Sequence, residues 1–324
     1  MSDSRTIVTI GEILVEFVSH RRNCALEQIS DYSGPYPSGA PAIFLDQAAR
    51  MGAVTQMIGG VGADGFGRCV LNRLKEDGVG TDGITVSDDH STGTAFVSYY
   101  DSGDRDFIFH IANTAADAFD VPSKLLTPEK TVLHVSASSL GAESMRDKIM
   151  GAVRTVSDGG GMISCDPNAR PELMRNPDTR DAMFEVMERS HILLPSTSDL
   201  DFLYPELSEE AAVGKLLNAN AQIIAVKRGA GGVTIVGNGE RHDFDGHTVE
   251  EIDPTGAGDC FCGTFVSLVA QGAPLFDAGR QANAAGAIAV TRRGPMEGNS
   301  TPVEIQSFIN THSPKANSSK ERIA

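Results

Sequence analysis

The distribution of apolar residues along the chain predicts an alternation of short strands and helices. Val132–Val135, Met162–Cys165, Ile192–Leu194 and Ile223–Val226 are short apolar runs, and segments with helical spacing lie between them. Such an alternation is typical of a parallel sheet that helices cover on both faces. The pattern therefore predicts a doubly wound, mostly parallel α/β fold.

Two further β runs do not fit this alternation. Thr92–Tyr100 and Asp106–Ile111 are rich in β-forming residues, and the polar turn Asp101-Ser-Gly-Asp104 lies between them. Leu14–Val18 is also a β run, and Cys24–Pro37 carries the glycine and prolines of irregular or edge structure. A hairpin inside an α/β chain predicts a separate small β-sheet.

Glycines punctuate the segment between these β runs. Val54–Ile58 is predicted as a short strand, Gly59–Gly67 as a glycine-rich loop, and Phe66–Glu76 as an amphipathic helix. Gly60, Gly62 and Gly65 also fit the G-x-G-x-x-G fingerprint of dinucleotide-binding proteins.

Composition and charge narrow the classes of function. The chain has 324 residues, 40% of them hydrophobic, and a net charge of −16. This acidity disfavours binding to nucleic acid or to an anionic membrane, since both need a basic surface. The first ten residues contain no long apolar run, and we expect neither a signal peptide nor a membrane span. The odd number of cysteines, five, favours reduced thiols and a cytoplasmic protein.

The most informative motif is Asp253-Pro-Thr-Gly-Ala-Gly-Asp259, which an apolar, helix-compatible stretch follows directly. Small residues before a helix leave backbone N–H groups free to hold a phosphoryl group, and the helix dipole adds positive charge there. Asp259 at the helix start could accept a proton from an attacking hydroxyl. The spacing alone leaves an alternative open, in which Asp259 caps the helix and Gly256 and Gly258 form a turn.

This motif is similar to the C-terminal signature of ribokinase-like (PfkB) sugar kinases. Other segments resemble the family's motifs in the same order along the chain: Gly11-Glu-Ile-Leu-Val-Glu16, Ser38-Gly-Ala-Pro-Ala42, Gly59–Gly67, Asp166-Pro-Asn-Ala-Arg170, Val226-Lys-Arg-Gly229 with Gly232, and Thr291-Arg-Arg-Gly294. The resemblance covers nearly the whole chain. It implies an ATP-dependent carbohydrate kinase whose α/β core carries a small β-sheet lid.

The resemblance also implies a division of the chain and a set of partners. The core would comprise residues 1–13, 38–91 and 112–312, the lid residues 14–37 and 92–111, and a disordered tail residues 313–324. The partners would be a sugar and ATP with Mg²⁺, together with a monovalent cation such as K⁺. A homodimer through the lid is a further expectation.

Site residues follow from the same resemblance. Asp259 would be the base, and the catalytic loop would add Gly256, Ala257 and Gly258. The predicted sugar-binding residues are Glu16, Ser38, Gly39, Ala40, Phe109, Ile111 and Arg170. The predicted nucleotide-binding residues are Lys227, Gly229, Gly232, Thr255 and Asn283, although Lys227 could equally be a surface charge. Asp199 would bind Mg²⁺ through water, and Asp253 and Thr255 would hold the monovalent cation.

Three positions depart from the family pattern. Ile43 replaces an asparagine that contacts the sugar, Glu16 replaces an aspartate, and Ser196-Thr-Ser-Asp199 replaces N-x-x-E. These changes leave Asp259 and its loop intact, so they affect sugar preference more than chemistry. Tagatose or fructose is favoured as the substrate. The alternative, 2-keto-3-deoxygluconate, would need a second arginine on the lid where Ile111 stands, beside Arg170.

Two other classes of function remain to be weighed. Asp82 lies about 20 residues beyond the G-x-G-x-x-G fingerprint, as an NAD(P)-dependent oxidoreductase requires. However, that fingerprint normally follows the first strand of its domain, and Val54–Ile58 is not the first strand here. A sugar sensor without catalysis would need the base to be lost, but Asp259 is present. The sequence does not determine the sugar, the hydroxyl or the oligomer.

Overall fold

The computed structural model describes residues 5–102, 104–312 and 321–322. Its strands, in chain order, are β1 (Thr6–Ile10), β2 (Leu14–Ser19), β3 (Tyr32–Ser38), β4 (Thr55–Gly62), β5 (Gly80–Ser87), β6 (Gly93–Tyr99), β7 (Arg105–His110), β8 (Thr131–Ser136), β9 (Met162–Asp166), β10 (Ile192–Leu193), β11 (Ile223–Lys227), β12 (Val233–Gly237), β13 (Glu240–Phe244) and β14 (Glu321–Arg322).

The helices cover the large sheet and connect its strands. They are α1 (Ala40–Arg50), α2 (Gly65–Glu76), α3 (Glu143–Asp158), α4 (Pro171–Met174), α5 (Pro177–Arg189), α6 (Thr197–Leu203), α7 (Glu209–Ala219), α8 (Ala257–Ala270), α9 (Leu275–Ala289) and α10 (Pro302–His312).

The large sheet confirms the predicted doubly wound fold. In the described chain its order is β14-β13-β12-β11-β10-β9-β8-β1-β4-β5, and the strands from β11 to β5 are parallel. Alternate residues of β1 enter two different cores: Ile7 packs in one, and Val8 and Ile10 pack in the other. Helices α3, α5 and α7 bury their apolar residues on the Val8 side, and α1, α2, α8 and α9 on the Ile7 side.

The small sheet, which we call the lid sheet, has the order β3-β2-β6-β7. The predicted hairpin β6–β7 is confirmed, with Thr94 opposite His110 and Tyr99 opposite Arg105. The central pair β2–β6 is parallel, which the hairpin pattern did not indicate. Only Gly11–Ile13 separates β1 of the large sheet from β2 of the lid sheet. The two sheets are therefore directly connected beside the C-terminal end of β1.

The predicted glycine-rich loop at Gly59–Gly67 is wrong in its first half. Strand β4 continues to Gly62 and pairs with β5. A Cβ on Gly60 would lie 2.0 Å from the carbonyl oxygen of Ala115, so the glycine permits a close backbone approach. Because Gly60 and Gly62 lie within a strand, the phosphate-binding turn of a dinucleotide fingerprint is not formed, and the oxidoreductase alternative loses its basis.

Two remaining features are the C-terminal tail of the chain and the question of membrane-spanning helices. Most of the predicted disordered tail, residues 313–324, lies outside the described residues; Glu321–Arg322 pair antiparallel with β13. Within the described residues, no helix has both the length and the apolar character that crossing a membrane requires.

Candidate active site

One cleft of about 1160 Å³ lies between the lid sheet and the large sheet. Every site residue predicted from the sequence lines this cleft except Asp253, which is buried directly behind it. The cleft runs from the lid sheet, past the start of α8, to the loops beside α9. The fold thus brings together predicted site residues that are up to 267 positions apart, from Glu16 to Asn283.

The catalytic loop leads into α8 through Gly256. This residue has a φ of 79° and occupies the N-cap position of the helix. A Cβ on it would lie 2.3 Å from the carbonyl oxygen of Pro295 and 3.2 Å from Cγ2 of Ile43. Only glycine fits this left-handed, crowded position. The N–H groups that begin α8 lack acceptors within the helix, so the loop presents donors and a positive dipole end to the cleft.

Asp259 lies in the first turn of α8, where its side chain remains partly open to the cleft. Burial, and then the negative charge of Asp166, raise its pKa to about 8, although Lys227 and Arg170 oppose the shift. A carboxylate with a pKa near neutrality is suited to accept a proton from an alcohol. The helix-cap alternative is not needed, because Gly256 is the N-cap residue.

Lys227 ends β11 and lies inside the cleft, so its interpretation as a surface charge is wrong. Its side chain is 14% exposed, and its Nζ donates to Asp166 Oδ2 at 2.5 Å. The same Nζ lies 3.8 Å from the position of a Cβ on Gly258. Burial lowers the pKa of Lys227, but Asp166 and neighbouring charges outweigh burial and raise it. Lys227 is therefore a permanent positive charge beside the catalytic loop.

Glu16 lies at the lid end of the cleft on β2. It is 2% exposed, and its Oε2 accepts a hydrogen bond from Ser38 Oγ at 3.3 Å. Its Oε1 has no hydrogen-bond partner among the described residues, although it is buried. Burial, and then the charge of Asp253, raise the pKa of Glu16 to about 8. An unpaired oxygen at this depth is costly unless a ligand hydroxyl reaches it.

Gly39 and Ala40 bring α1 to the same end of the cleft. Gly39 has a φ of 109°, and a Cβ there would lie 2.4 Å from the carbonyl oxygen of Glu12. Glu12, which the sequence analysis did not select, also lines the cleft, and its Oε2 accepts a hydrogen bond from Ser139 Oγ at 2.6 Å. Burial raises the pKa of Glu12, and Arg170 lowers it.

Aromatic rings and guanidinium groups form the wall beneath β7. Arg170 Cζ lies 5.4 Å from the ring centroid of Phe109 and 5.9 Å from that of Phe107. Arg105 Cζ lies 5.3 Å from the Phe107 centroid, and Arg105 also lines the cleft. A second arginine, which the sequence analysis sought only at the position of Ile111, is thus supplied by Arg105 on the same lid strand. Ile111 lines the cleft and also packs against the apolar core.

The opposite end of the cleft suits a nucleotide. Gly229 and Gly232 have φ values of 53° and 93°, and a Cβ on Gly232 would lie 2.0 Å from the carbonyl oxygen of Phe244. Asn283 on α9 donates from Nδ2 to the carbonyl oxygen of Asp245 at 2.8 Å. Gly286 on the same helix also lines the cleft, and the nearest atom to a Cβ there would be the carbonyl oxygen of Ala257 at 3.5 Å.

Comparison with known proteins identifies the family. The model of the "pfkB family carbohydrate kinase" matches residues 4–302. The chain belongs to this family. It is 29% identical to the probable fructokinase-5 of Arabidopsis thaliana, over 97% of this chain and all of that protein. It is 30% identical to the fructokinase of Vibrio alginolyticus, over 84% of this chain and 91% of that protein.

Solved structures of this carbohydrate kinase family have the same fold. An E. coli protein provisionally named ribokinase II, crystallised with ATP and Mg²⁺, superimposes with a TM-score of 0.89 at 42% identity. The match covers 95% of this chain and all of that one. The fructokinase of Xylella fastidiosa with bound ATP has a TM-score of 0.79 at 26% identity, over 94% and 98% of the two chains.

The metal ligands predicted for this kinase are already engaged by protein groups. Asp199 forms a capping box at α6: its Oδ2 accepts from Ser196 N at 2.7 Å and from Ser196 Oγ at 2.6 Å. Its Oδ1 accepts from Ala169 N at 2.7 Å. No group of three or more His, Cys, Asp or Glu residues in the described chain could hold a metal ion. Asp166 and Asp199 both line the cleft, and Mg²⁺ binding stays a prediction.

Asp253 and Thr255 are engaged in the same way. Asp253 Oδ1 accepts from Thr255 N at 3.0 Å and from the hydroxyl of Tyr99, and Oδ2 accepts from Gly294 N at 2.9 Å. These contacts leave no side-chain oxygen of Asp253 without a partner. The monovalent cation stays a prediction.

Proposed function

We propose that the chain transfers the γ-phosphoryl group of ATP to a primary hydroxyl of a ketohexose, with D-fructose or D-tagatose favoured. The observation that supports this most is the position of Asp259. Its partly open carboxyl group stands in the first turn of α8, between the lid end of the cleft and the nucleotide end. The fructokinase names of several relatives support a ketohexose.

The residues of the cleft suggest a sequence of roles in the reaction. Asp259 accepts the proton of the sugar hydroxyl, whose oxygen forms a bond to the γ-phosphorus as the bond to the bridging oxygen of ADP breaks. The N–H groups of Gly256 to Asp259, together with Lys227, stabilise negative charge on the transferred group. Mg²⁺, when bound to the nucleotide, neutralises phosphate charge.

The lid end supports a neutral polyol as the substrate. The buried carboxyl groups of Glu12 and Glu16 can accept or donate hydrogen bonds to sugar hydroxyls, and Ser38 lies next to Glu16. Phe107 and Phe109 offer apolar faces for the carbons of the ring. Arg105 and Arg170 could also pair with a carboxylate, so a sugar acid is a necessary competitor in any test.

The test is a kinetic comparison of purified protein with ATP and Mg²⁺ on D-fructose, D-tagatose, D-ribose and 2-keto-3-deoxygluconate, with ADP release as the readout. We expect kcat/KM for a ketohexose to exceed that for the keto acid at least about tenfold, a difference of ~1.4 kcal/mol. A higher kcat/KM for the keto acid would overturn the ketohexose assignment. Cytoplasmic location and a lid-mediated homodimer stay predictions.

A further inference from the structure

A tyrosine of the lid sheet reaches the segment that precedes the catalytic loop. Tyr99 ends β6, is 8% exposed, and donates its hydroxyl hydrogen to Asp253 Oδ1. The same hydroxyl contacts Thr255 Oγ1. Asp253 and Thr255 immediately precede Gly256, which begins α8. One side chain of the lid sheet is thus hydrogen-bonded to the segment that leads into the N-terminus of α8.

The protons of this contact can be assigned. A tyrosine hydroxyl carries one proton at neutral pH, because a phenol ionises only near pH 10. Its single proton goes to Asp253, and its oxygen is then free to accept the proton of the Thr255 hydroxyl. Asp253 also accepts from Thr255 N and Gly294 N. The carboxylate therefore joins three segments, one of which is the lid.

The strand that carries Tyr99 is paired with the two strands that supply lid residues to the sugar end of the cleft. Strand β6 pairs with β2, which carries Glu16, and with β7, where Arg105 is directly opposite Tyr99. A displacement of the lid by a bound sugar would therefore reach Tyr99 through strand pairing. From Tyr99 it would pass to Asp253 and Thr255 through the hydrogen bonds.

We propose that Tyr99 is a positioning residue that couples the sugar end of the cleft to its phosphate end. In this arrangement, sugar binding against the lid fixes the loop that begins α8 and so tightens nucleotide binding. The inference rests on the proposed ketohexose kinase activity and adds a route by which the two substrates affect each other. Such coupling must be reciprocal, because it is a free energy shared between two sites.

The hydroxyl can be removed without removing the ring. Tyr99 packs with Val18 and Val97 in a small core of the lid sheet, and Phe107 lies against that core. Tyr99→Phe retains this packing and deletes the two hydrogen bonds. The adjacent Tyr100 supplies a matched control, since its hydroxyl donates to Asp106 at 2.6 Å on the exposed side of the lid sheet.

The experiment measures the Kd of a non-hydrolysable ATP analogue with Mg²⁺ by calorimetry, with and without saturating ketohexose. We expect the sugar to tighten binding roughly fivefold or more in the wild type and in Tyr100→Phe, and by less than about twofold in Tyr99→Phe. We also expect kcat of Tyr99→Phe to fall about tenfold, as for loss of a hydrogen bond to a charged group, with the sugar KM within about threefold.

Three outcomes would overturn the role of Tyr99, and a fourth would overturn the proposed function. Equal coupling in Tyr99→Phe and the wild type overturns the role of Tyr99, and so does a wild type in which the sugar leaves nucleotide affinity unchanged. A purely structural role would lower the thermal stability of Tyr99→Phe while its coupling persisted, which also overturns the proposal. A wild-type protein that phosphorylates no ketohexose overturns the proposed function itself. If the wild type is active, a failure of the Tyr99 proposal leaves the proposed function intact.

Discussion

Asp259 stands between opposed electrostatic influences. Burial and the carboxyl group of Asp166 raise its pKa, while the buried ammonium of Lys227 lowers it. The resulting pKa of Asp259 is about 8. A base with a pKa close to the working pH is partly ionised and still strong enough to accept a proton. Lys227 and Asp166, which are paired with each other, therefore act on the pKa of Asp259 in opposite directions.

Replacing Asp259 with asparagine tests its role as the base. The amide retains the size of the side chain but accepts no proton, so kcat should fall ~10²–10⁴-fold. In the wild type, kcat/KM should rise with pH as Asp259 loses its proton, with an inflection near pH 8. This rise of kcat/KM with pH should be absent from the profile of Asp259→Asn.

Substrate binding is the control for this variant. Calorimetric Kd values for sugar and nucleotide should stay within a few-fold of the wild type, because the asparagine side chain retains the shape of the site. A variant that keeps more than a tenth of the wild-type kcat would exclude Asp259 as the base.

The residues of one continuous motif could be predicted from their spacing, whereas Phe109, Ile111 and Asn283 could be predicted only through the family resemblance, and other cleft residues were missed. Gly256 to Asp259 were found because their spacing alone describes a helix start. Arg105 was missed, although a usable signal existed: residues 105, 107 and 109 alternate along β7 and share the face that lines the cleft. Tyr99 and Glu12 gave no comparable signal, because their roles depend on contacts with Asp253 and Ser139, which are more than a hundred residues away.

The start of α8 contains two glycines, and a different physical constraint accounts for each. At Gly256, a positive φ and the carbonyl oxygen of Pro295 exclude any side chain. At Gly258, the nearest described atom to a Cβ is Lys227 Nζ at 3.8 Å, so the fold has room for a side chain. The second glycine is therefore needed only by a ligand that approaches the backbone.

Substitution of the two glycines should separate fold from function. Gly258→Val should abolish most phosphoryl transfer and weaken nucleotide binding, while thermal stability and sugar affinity stay near wild type. Gly256→Ala should instead lower the free energy of unfolding by roughly 1–3 kcal/mol, the usual cost of a strained backbone position. Thermal denaturation and calorimetry on both variants provide the measurement. A Gly258→Val protein with normal activity would show that phosphate does not approach this loop.

The ends of helices and strands could be predicted where hydrophobic spacing determines them. They could not be predicted where glycines are present because neighbouring backbones approach closely. Helix α2 was predicted as Phe66–Glu76 and spans Gly65–Glu76, because its apolar face is regular. Strand β4 was ended too early, because Gly59, Gly60 and Gly62 look like a turn in a single sequence. Their actual reason is the approach of neighbouring backbones, which no local pattern contains.

At the scale of the whole molecule, several buried acids retain protons at neutral pH. Burial, and then other carboxyl groups, raise the pKa of Asp46 to about 7, and Glu16 and Asp259 reach about 8. In the unfolded chain these groups lose their protons near pH 4. Between those values the folded state binds more protons than the unfolded state, so stability falls as pH rises.

The expected result is a lower melting temperature at pH 8.5 than at pH 6.5. The buried His134, whose pKa burial lowers, acts in the opposite direction, but the unfolded histidine is mostly neutral through this window, so its contribution is smaller. The double variant Glu16→Gln with Asp259→Asn should show a smaller decrease between the two pH values. Calorimetric melting in matched buffers would measure both proteins. A melting temperature that increases from pH 6.5 to 8.5 would contradict the protonated state of these acids.

The parallel pairing of β2 with β6 has a consequence for engineering and for evolution. Residues 14–38 and 93–110 form one sheet, yet 54 residues of the large domain separate them, so neither segment is a transferable module. Exchange of the β6–β7 hairpin alone would place foreign side chains opposite Glu16 of β2, and the two paired strands would no longer match. Grafting of substrate preference between relatives therefore requires both insertions to move as a matched pair, and natural divergence at one is expected to leave a compensating change at the other.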